Sequence, residues 1–154
     1  MDAATFLEFP VRYDKIFLKD AVGDLGLEAE FFARLRERLQ PGGRVLVAET
    51  APDSQTPLFK EARRRWEALA PRPEELATSI EQAGFRVATR SLQVRHRLAR
   101  DEFLDMVYRR YTPVLATFDD VELRSGVDEI RDATADLATI ELVQRFDLAI
   151  GLAA

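Results

Sequence analysis

The sequence predicts an α/β domain in which about four strands are flanked by helices. Three observations carry that expectation. Apolar runs at Ile16-Phe17-Leu18 and Val45-Leu46-Val47 are bounded by charged residues, the pattern of short strands buried on both faces. Between them, residues 28–39 place Phe31, Phe32, Leu35 and Leu39 on one helical stripe, with Glu30, Arg34, Arg36 and Glu37 turned outward. Further helical and strand-like stretches then alternate to the carboxyl end, and 154 residues give room for one sizeable core.

The elements follow in order. Tyr13 to Val22 reads as the first strand. Gln40-Pro41-Gly42-Gly43 stops the helix after it, because proline cannot continue a helix and glycine accepts positive φ without steric cost. Arg44 to Thr50 is the second strand, so strand, helix and strand form a βαβ unit with parallel strands and a right-handed crossover. Pro52 to Pro57 reads as a loop, and Leu58 to Leu69 as a helix with Phe59, Ala62, Trp66 and Leu69 sharing a side. Pro73 suits the start of a helix over Glu74 to Ala83, with acids in its first turn and Gly84 just past its end.

Phe85 to Leu98 reads as a long strand, with a bulge near Arg90-Ser91. Residues 100–131 return to helical spacing, with Phe103, Leu104, Val107 and Tyr111 on one stripe and Pro113 dividing two segments. Asp119 with Glu122 forms a capping pair for the second of these. Ile140 to Gly151 is the closing strand. The expected organisation is one domain, with a βαβ core part over 1–98, a helical insertion over 99–135 and a closing strand over 136–154.

Composition narrows the function. Lys and Arg total 22 against 27 Asp and Glu, so a net charge of −5 repels polyanions and disfavours nucleic-acid and anionic-membrane partners. Cysteine is absent, which excludes disulfides, thiolate metal sites and cysteine nucleophiles. A single His96 argues against a histidine-built metal site or a serine triad. No apolar run reaches the roughly 20 residues that span a bilayer, and Met1-Asp2-Ala3 opens no secretory signal, so a cytoplasmic location is expected.

In an open α/β sheet, ligands bind beyond the carboxyl ends of the strands. Lys19 and Asp20 follow the first strand there, and Glu49 and Thr50 end the second. Asp20 and Glu49 can serve as acid, base or hydroxyl anchor, and Lys19 can bind an anion or pair with Asp20. The alternative is a solvated charged rim. Arg63-Arg64-Arg65 beside Trp66 reads as a solvated helix face, His96 as a half-exposed strand residue, and Arg109, Arg110 and Tyr111 as a grip for a carboxylate or as ordinary helix surface.

Asp2-Ala3 through Pro10, Tyr13-Asp14-Lys15-Ile16, Leu39-Gln40-Pro41-Gly42-Gly43-Arg44-Val45-Leu46-Val47 and Ala83-Gly84-Phe85 together resemble the second half of a class I S-adenosylmethionine-dependent methyltransferase. Pro57-Leu58-Phe59 through Trp66, and Arg109-Arg110-Tyr111 to Leu115 with Phe118 and Glu122-Leu123, further resemble a small-molecule branch of that family. The resemblance implies a partial Rossmann-like methyltransferase fold holding the equivalents of strands 4-5-7-6, the last strand antiparallel. It implies S-adenosyl-L-methionine as cofactor, with Asp2, Ala3 and Leu18 on the cofactor side and Lys19 and Asp20 at the methyl-transfer centre. The implied reaction is in-line methyl transfer to a small-molecule acceptor, aligned by the protein and shielded from water. Relatives of this branch often carry histidine soon after the fourth strand, where this chain reads Val22-Gly23-Asp24.

The family's glycine-rich turn after its first strand, which cradles the cofactor, has no counterpart, because no Gly-x-Gly segment occurs in the sequence. The expectation is therefore a partial methyltransferase, active only when the remaining half is supplied by a longer product or a partner. The strand at Tyr13 to Val22 would then be a sheet edge, open to a partner chain or to self-association. A non-catalytic interaction module or an inactive methyltransferase fragment is the alternative.

Overall fold

The computed structural model describes residues 10–22 and 28–153. Among these, four strands form one sheet: β1 (Tyr13–Lys19), β2 (Leu39–Thr50), β3 (Phe85–Ala99) and β4 (Thr139–Ala153). The strand order is β1-β2-β4-β3. β1 and β2 run parallel, with Ile16 opposite Val45 and Leu18 opposite Val47. β4 runs antiparallel to β2, with Val47 opposite Ala149 and Thr50 opposite Phe146. This is the expected 4-5-7-6 arrangement, with the last strand in sequence inserted between its neighbours.

The helices are α1 (Ala29–Glu37), α2 (Lys60–Leu69), α3 (Pro73–Gln82), α4 (Arg100–Tyr108), α5 (Pro113–Ala116) and α6 (Asp120–Ala133). Pro73 stands in the first turn of α3, where its missing N–H is no loss, with Glu74 and Glu75 beside it. The Asp119 side chain accepts the N–H groups of Val121 and Glu122, and Glu122 returns a bond to the Asp119 N–H, so α6 starts on the anticipated capping box. No described helix is long and apolar enough to cross a membrane.

The Gln40-Pro41-Gly42-Gly43 segment does more than end a helix. α1 already closes at Arg38, and β2 begins at Leu39, which faces Tyr13; the next registered pair is Lys15 with Arg44. The intervening residues are accommodated as an irregularity in the ladder. Gly42 takes φ 74°, and a Cβ at Gly43 would lie 2.8 Å from the Gln40 carbonyl oxygen. Only a bare backbone fits that second position.

The chain divides into two compact units. One contains described residues of Met1–Ala51, Pro71–Leu92 and Phe146–Ala154, the other Pro52–Ala70 and Gln93–Arg145. The first unit buries Phe32 and Leu35 of α1, Leu76 and Ile80 of α3, and Ile16, Val45, Val47 and Ala149 of the sheet in one cluster. Each fully buried large side chain there contributes about 1.5–3 kcal/mol. The second unit builds its own cluster from Phe59, Ala62, Phe103, Leu115, Leu123, Ile130 and Ile140, among others.

Two expectations are corrected. The first strand is not buried on both faces: Ile16 is buried, but Phe17 is 61% exposed. Among the described residues β1 is the terminal strand of the sheet. Leu69 is likewise exposed, at the carboxyl end of the stripe that Phe59 and Ala62 begin.

Candidate functional site

The carboxyl ends of β1 and β2 bring a small polar cluster together within the first unit. β1 ends at Lys19, and Asp20 turns the chain at φ 49°, a left-handed conformation that aspartate tolerates better than most side chains. Two bonds hold this turn against β2. The Asp20 N–H donates to the Ala48 carbonyl at 2.9 Å, and the Thr50 N–H donates to Asp20 Oδ1 at 2.7 Å. The other carboxylate oxygen of Asp20 pairs with the Lys19 ammonium. That ammonium also stands 5.2 Å from the centre of the Phe146 ring, a placement that contributes about 0.5–1 kcal/mol at an exposed site.

Glu49 completes the cluster from the neighbouring strand. It is only 8% exposed, and its Oε1 accepts the N–H of Val22 at 3.2 Å. Burial pushes the Glu49 carboxyl above its ordinary range; the Val22 N–H opposes that rise, the Asp20 charge adds to it, and Lys19 works against it. Glu49 of β2 thus holds the chain that follows β1 through Val22, and Asp20 holds the end of β2 through Thr50.

The sequence-derived candidates fall out as follows. Lys19 and Asp20 are together, at the predicted strand end. Leu18 pairs in register with Val47 and lies half-buried against the core of its unit. Asp2 and Ala3 lie outside the described residues. His96 is exposed on β3. Arg109 pairs with Asp105 one helical turn away, at 2.9 Å, and Arg110 with Asp120 at 2.6 Å. The arginines beside Trp66 are not uniformly solvated: Arg63 donates to the Thr56 carbonyl, and Arg65 lies 3.8 Å over the Phe118 ring while bonding the Thr117 carbonyl and Glu122.

Phe146 was invisible from sequence as a site residue. Its place beside Lys19 follows from the antiparallel register that sets it opposite Thr50, and no local signal encodes that register. Tyr111 packs edge-on against Phe103, with its hydroxyl buried and unpartnered, and burial suppresses its acidity. Among the described residues no group of three or more acidic or histidine side chains is placed to hold a metal.

Chemically, the cluster offers a fixed carboxylate, an ammonium held in place by a carboxylate and a ring, and a second carboxylate with raised proton affinity. Such a set can orient a polar acceptor and hold a proton near it.

No protein-family model matches the sequence, and no curated protein does. Solved structures do. A phosphoethanolamine N-methyltransferase 2 of Haemonchus contortus, solved with phosphomonomethylethanolamine and S-adenosylhomocysteine, superposes at a TM-score of 0.50 and 14% identity. The match covers 98% of this chain and 36% of that one. A Bacillus halodurans protein assigned as a methyltransferase superposes at a TM-score of 0.52 and 12% identity, covering 99% of this chain and 69% of that one. This chain therefore spans only part of the structures it is similar to, and what it shares with them is the fold of part of a class I S-adenosylmethionine-dependent methyltransferase.

Proposed function

We propose that this chain is the acceptor-side portion of an S-adenosylmethionine-dependent methyltransferase acting on a small molecule, with Lys19 and Asp20 at the site of transfer. The observation that supports this most is the Asp20 turn: a left-handed residue at the carboxyl end of β1, tied by its own carboxylate to Thr50 at the end of the adjacent parallel strand. Such strand ends are where sheets of this topology bind ligands. In this reading Asp20 and Lys19 orient the acceptor, and Glu49 holds the loop that starts at Val22. Leu18, Asp2 and Ala3 belong to the cofactor side.

The residues of this chain do not by themselves fit the whole methyl donor. The sequence contains no Gly-x-Gly turn whose bare backbone would let the chain approach the donor closely. The cofactor-binding half is therefore supplied by another segment, in the same product or in a partner chain, and residues 1–154 act as one partial domain.

Equilibrium titration with S-adenosylmethionine tests this. Residues 1–154 alone are expected to show no saturable binding tighter than about 10 μM, equivalent to about −7 kcal/mol. Extending the reading frame upstream of Met1 to include a glycine-rich turn is expected to restore binding. Micromolar affinity of residues 1–154 alone contradicts the need for an added segment. An extended product that still fails to bind contradicts the methyl-donor reading.

Exposure of Phe17 on the terminal strand favours a second reading, a non-catalytic module that docks another chain along β1. A monomeric chain that captures no partner would remove its basis.

A further inference from the structure

A cavity of about 300 Å³ lies at the end of the strands opposite Asp20. Arg12 precedes β1, Leu39 opens β2 and Ala153 closes the antiparallel β4, so these three wall residues share one end of the sheet; Ala33, Arg36 and Glu37 of α1 complete the side that matters here. Arg36 is the unusual member. Its Nε is buried and has no hydrogen-bond acceptor. Buried guanidinium N–H groups almost always have a partner, because removing them from water without one costs free energy that nothing returns.

The guanidinium lies beside Gly84, which takes φ 86°: a Cβ built there would stand 3.4 Å from Arg36 Nη1 and 3.5 Å from Cζ, at ordinary contact distance. Among the described residues, neither Arg36 nor Arg12 is paired with Glu37 or with any other carboxylate. Arg36 and Arg12 thus both line the cavity, and Glu37, the one acid in its wall, is ion-paired with neither. The remaining surface from Ala33, Leu39 and Ala153 is apolar.

We propose that this cavity binds a small organic monocarboxylate, its oxygens on the Arg36 and Arg12 guanidinium groups and a short apolar tail against Ala33, Leu39 and Ala153. The guanidinium fork matches a carboxylate in two-point geometry. Glu37 at the wall repels a second negative charge, which selects a monoanion over a dianion, and the apolar surface selects an acid with a tail over a bare ion. The site is separate from the methyl-transfer reading and does not rest on it.

Butyrate titrated into residues 1–154 at constant ionic strength, followed by amide chemical shifts, tests the proposal. Saturable shifts centred on Leu39, Gly84 and Ala153 are expected, with a Kd on the order of 1 mM, and acetate, inorganic phosphate and butylammonium are each expected to bind at least about fivefold more weakly. Arg36→Met is expected to weaken butyrate binding at least tenfold and Arg12→Ala several-fold. Ala33→Leu leaves both arginines in place and fills the cavity, so it decides the matter even if Arg36→Met fails to fold; it too is expected to abolish binding. Shifts that do not saturate, that match those from chloride, or that persist in Ala33→Leu overturn the proposal.

Discussion

Asp20 Oδ1 accepts the main-chain N–H of Thr50 at 2.7 Å, joining the carboxyl ends of two parallel strands through residues 30 apart in the chain. The bond explains why a non-glycine residue holds φ 49° at this point. Strain in the backbone is offset by a charge-assisted hydrogen bond that only an acceptor side chain in that conformation can make.

Substitution at Asp20 separates the two contributions. Asp20→Ala removes the acceptor and leaves a β-carbon at positive φ, for an expected loss of about 2 kcal/mol. Asp20→Gly removes the acceptor but relieves the backbone, and should be about 1 kcal/mol more stable than the alanine variant. Urea denaturation reads both. An alanine variant at least as stable as the glycine variant would contradict the strained-turn account.

The pH dependence of stability should carry the Glu49 signature. Burial raises the folded-state pKa of Glu49 above the unfolded value of 4.5, so the folded state holds its proton over a window beginning there. Stability associated with Glu49 is therefore lost as pH rises through that window. Glu61 has the opposite sign: bonds from Arg64 and Arg65 lower its pKa to about 2, so its contribution is lost as pH falls from 4.5 toward that value. Comparing Glu49→Gln with the unaltered chain by denaturation at pH 4 to 8 should show the variant gaining relative stability as pH rises. A constant difference across that range would refute the assignment.

Gly126 in α6 sits where a β-carbon would overlap the Phe59 ring. Gly126→Ala improves helix propensity by about 1 kcal/mol, but overpacking a buried ring costs about 1–3 kcal/mol. The expected result is net destabilisation of about 1 kcal/mol in a thermal or urea melt, recovered in part by adding Phe59→Leu. Stabilisation by Gly126→Ala alone would show that Phe59 moves freely.

Phe17 is exposed on the terminal strand, and the docking reading expects the chain to associate there at high concentration. Phe17→Lys places a charge on an open edge strand and should shift light-scattering mass toward the monomer at high concentration, with folding unaffected. Unchanged association in this variant would place the contact elsewhere.

Much of the architecture was legible locally. The Asp119 and Glu122 pair announced α6, Pro73 and Gly84 bracketed α3, and the stripe through Phe32 and Leu35 marked α1, because caps, breakers and periodicity are short-range consequences of backbone geometry. Lys19 and Asp20 were recognisable as candidates because any strand in such a sheet carries its ligand-facing residues at the carboxyl end. The burial of the first strand was not legible. An apolar triplet looks the same whether one or both faces of its strand are covered, and Phe17 proved exposed on the face opposite Ile16.

The sequence by itself determined the element types, their order and the charged residues that reach the strand ends. Tertiary structure alone decided that Asp20 grips Thr50, that Lys19 lies by Phe146, that Glu49 holds Val22, and that the Nε of Arg36, beside Gly84, is buried without a partner. Each of these depends on strand register or helix packing between segments distant in the chain, and a one-residue slip in register would turn every such side chain to the other face.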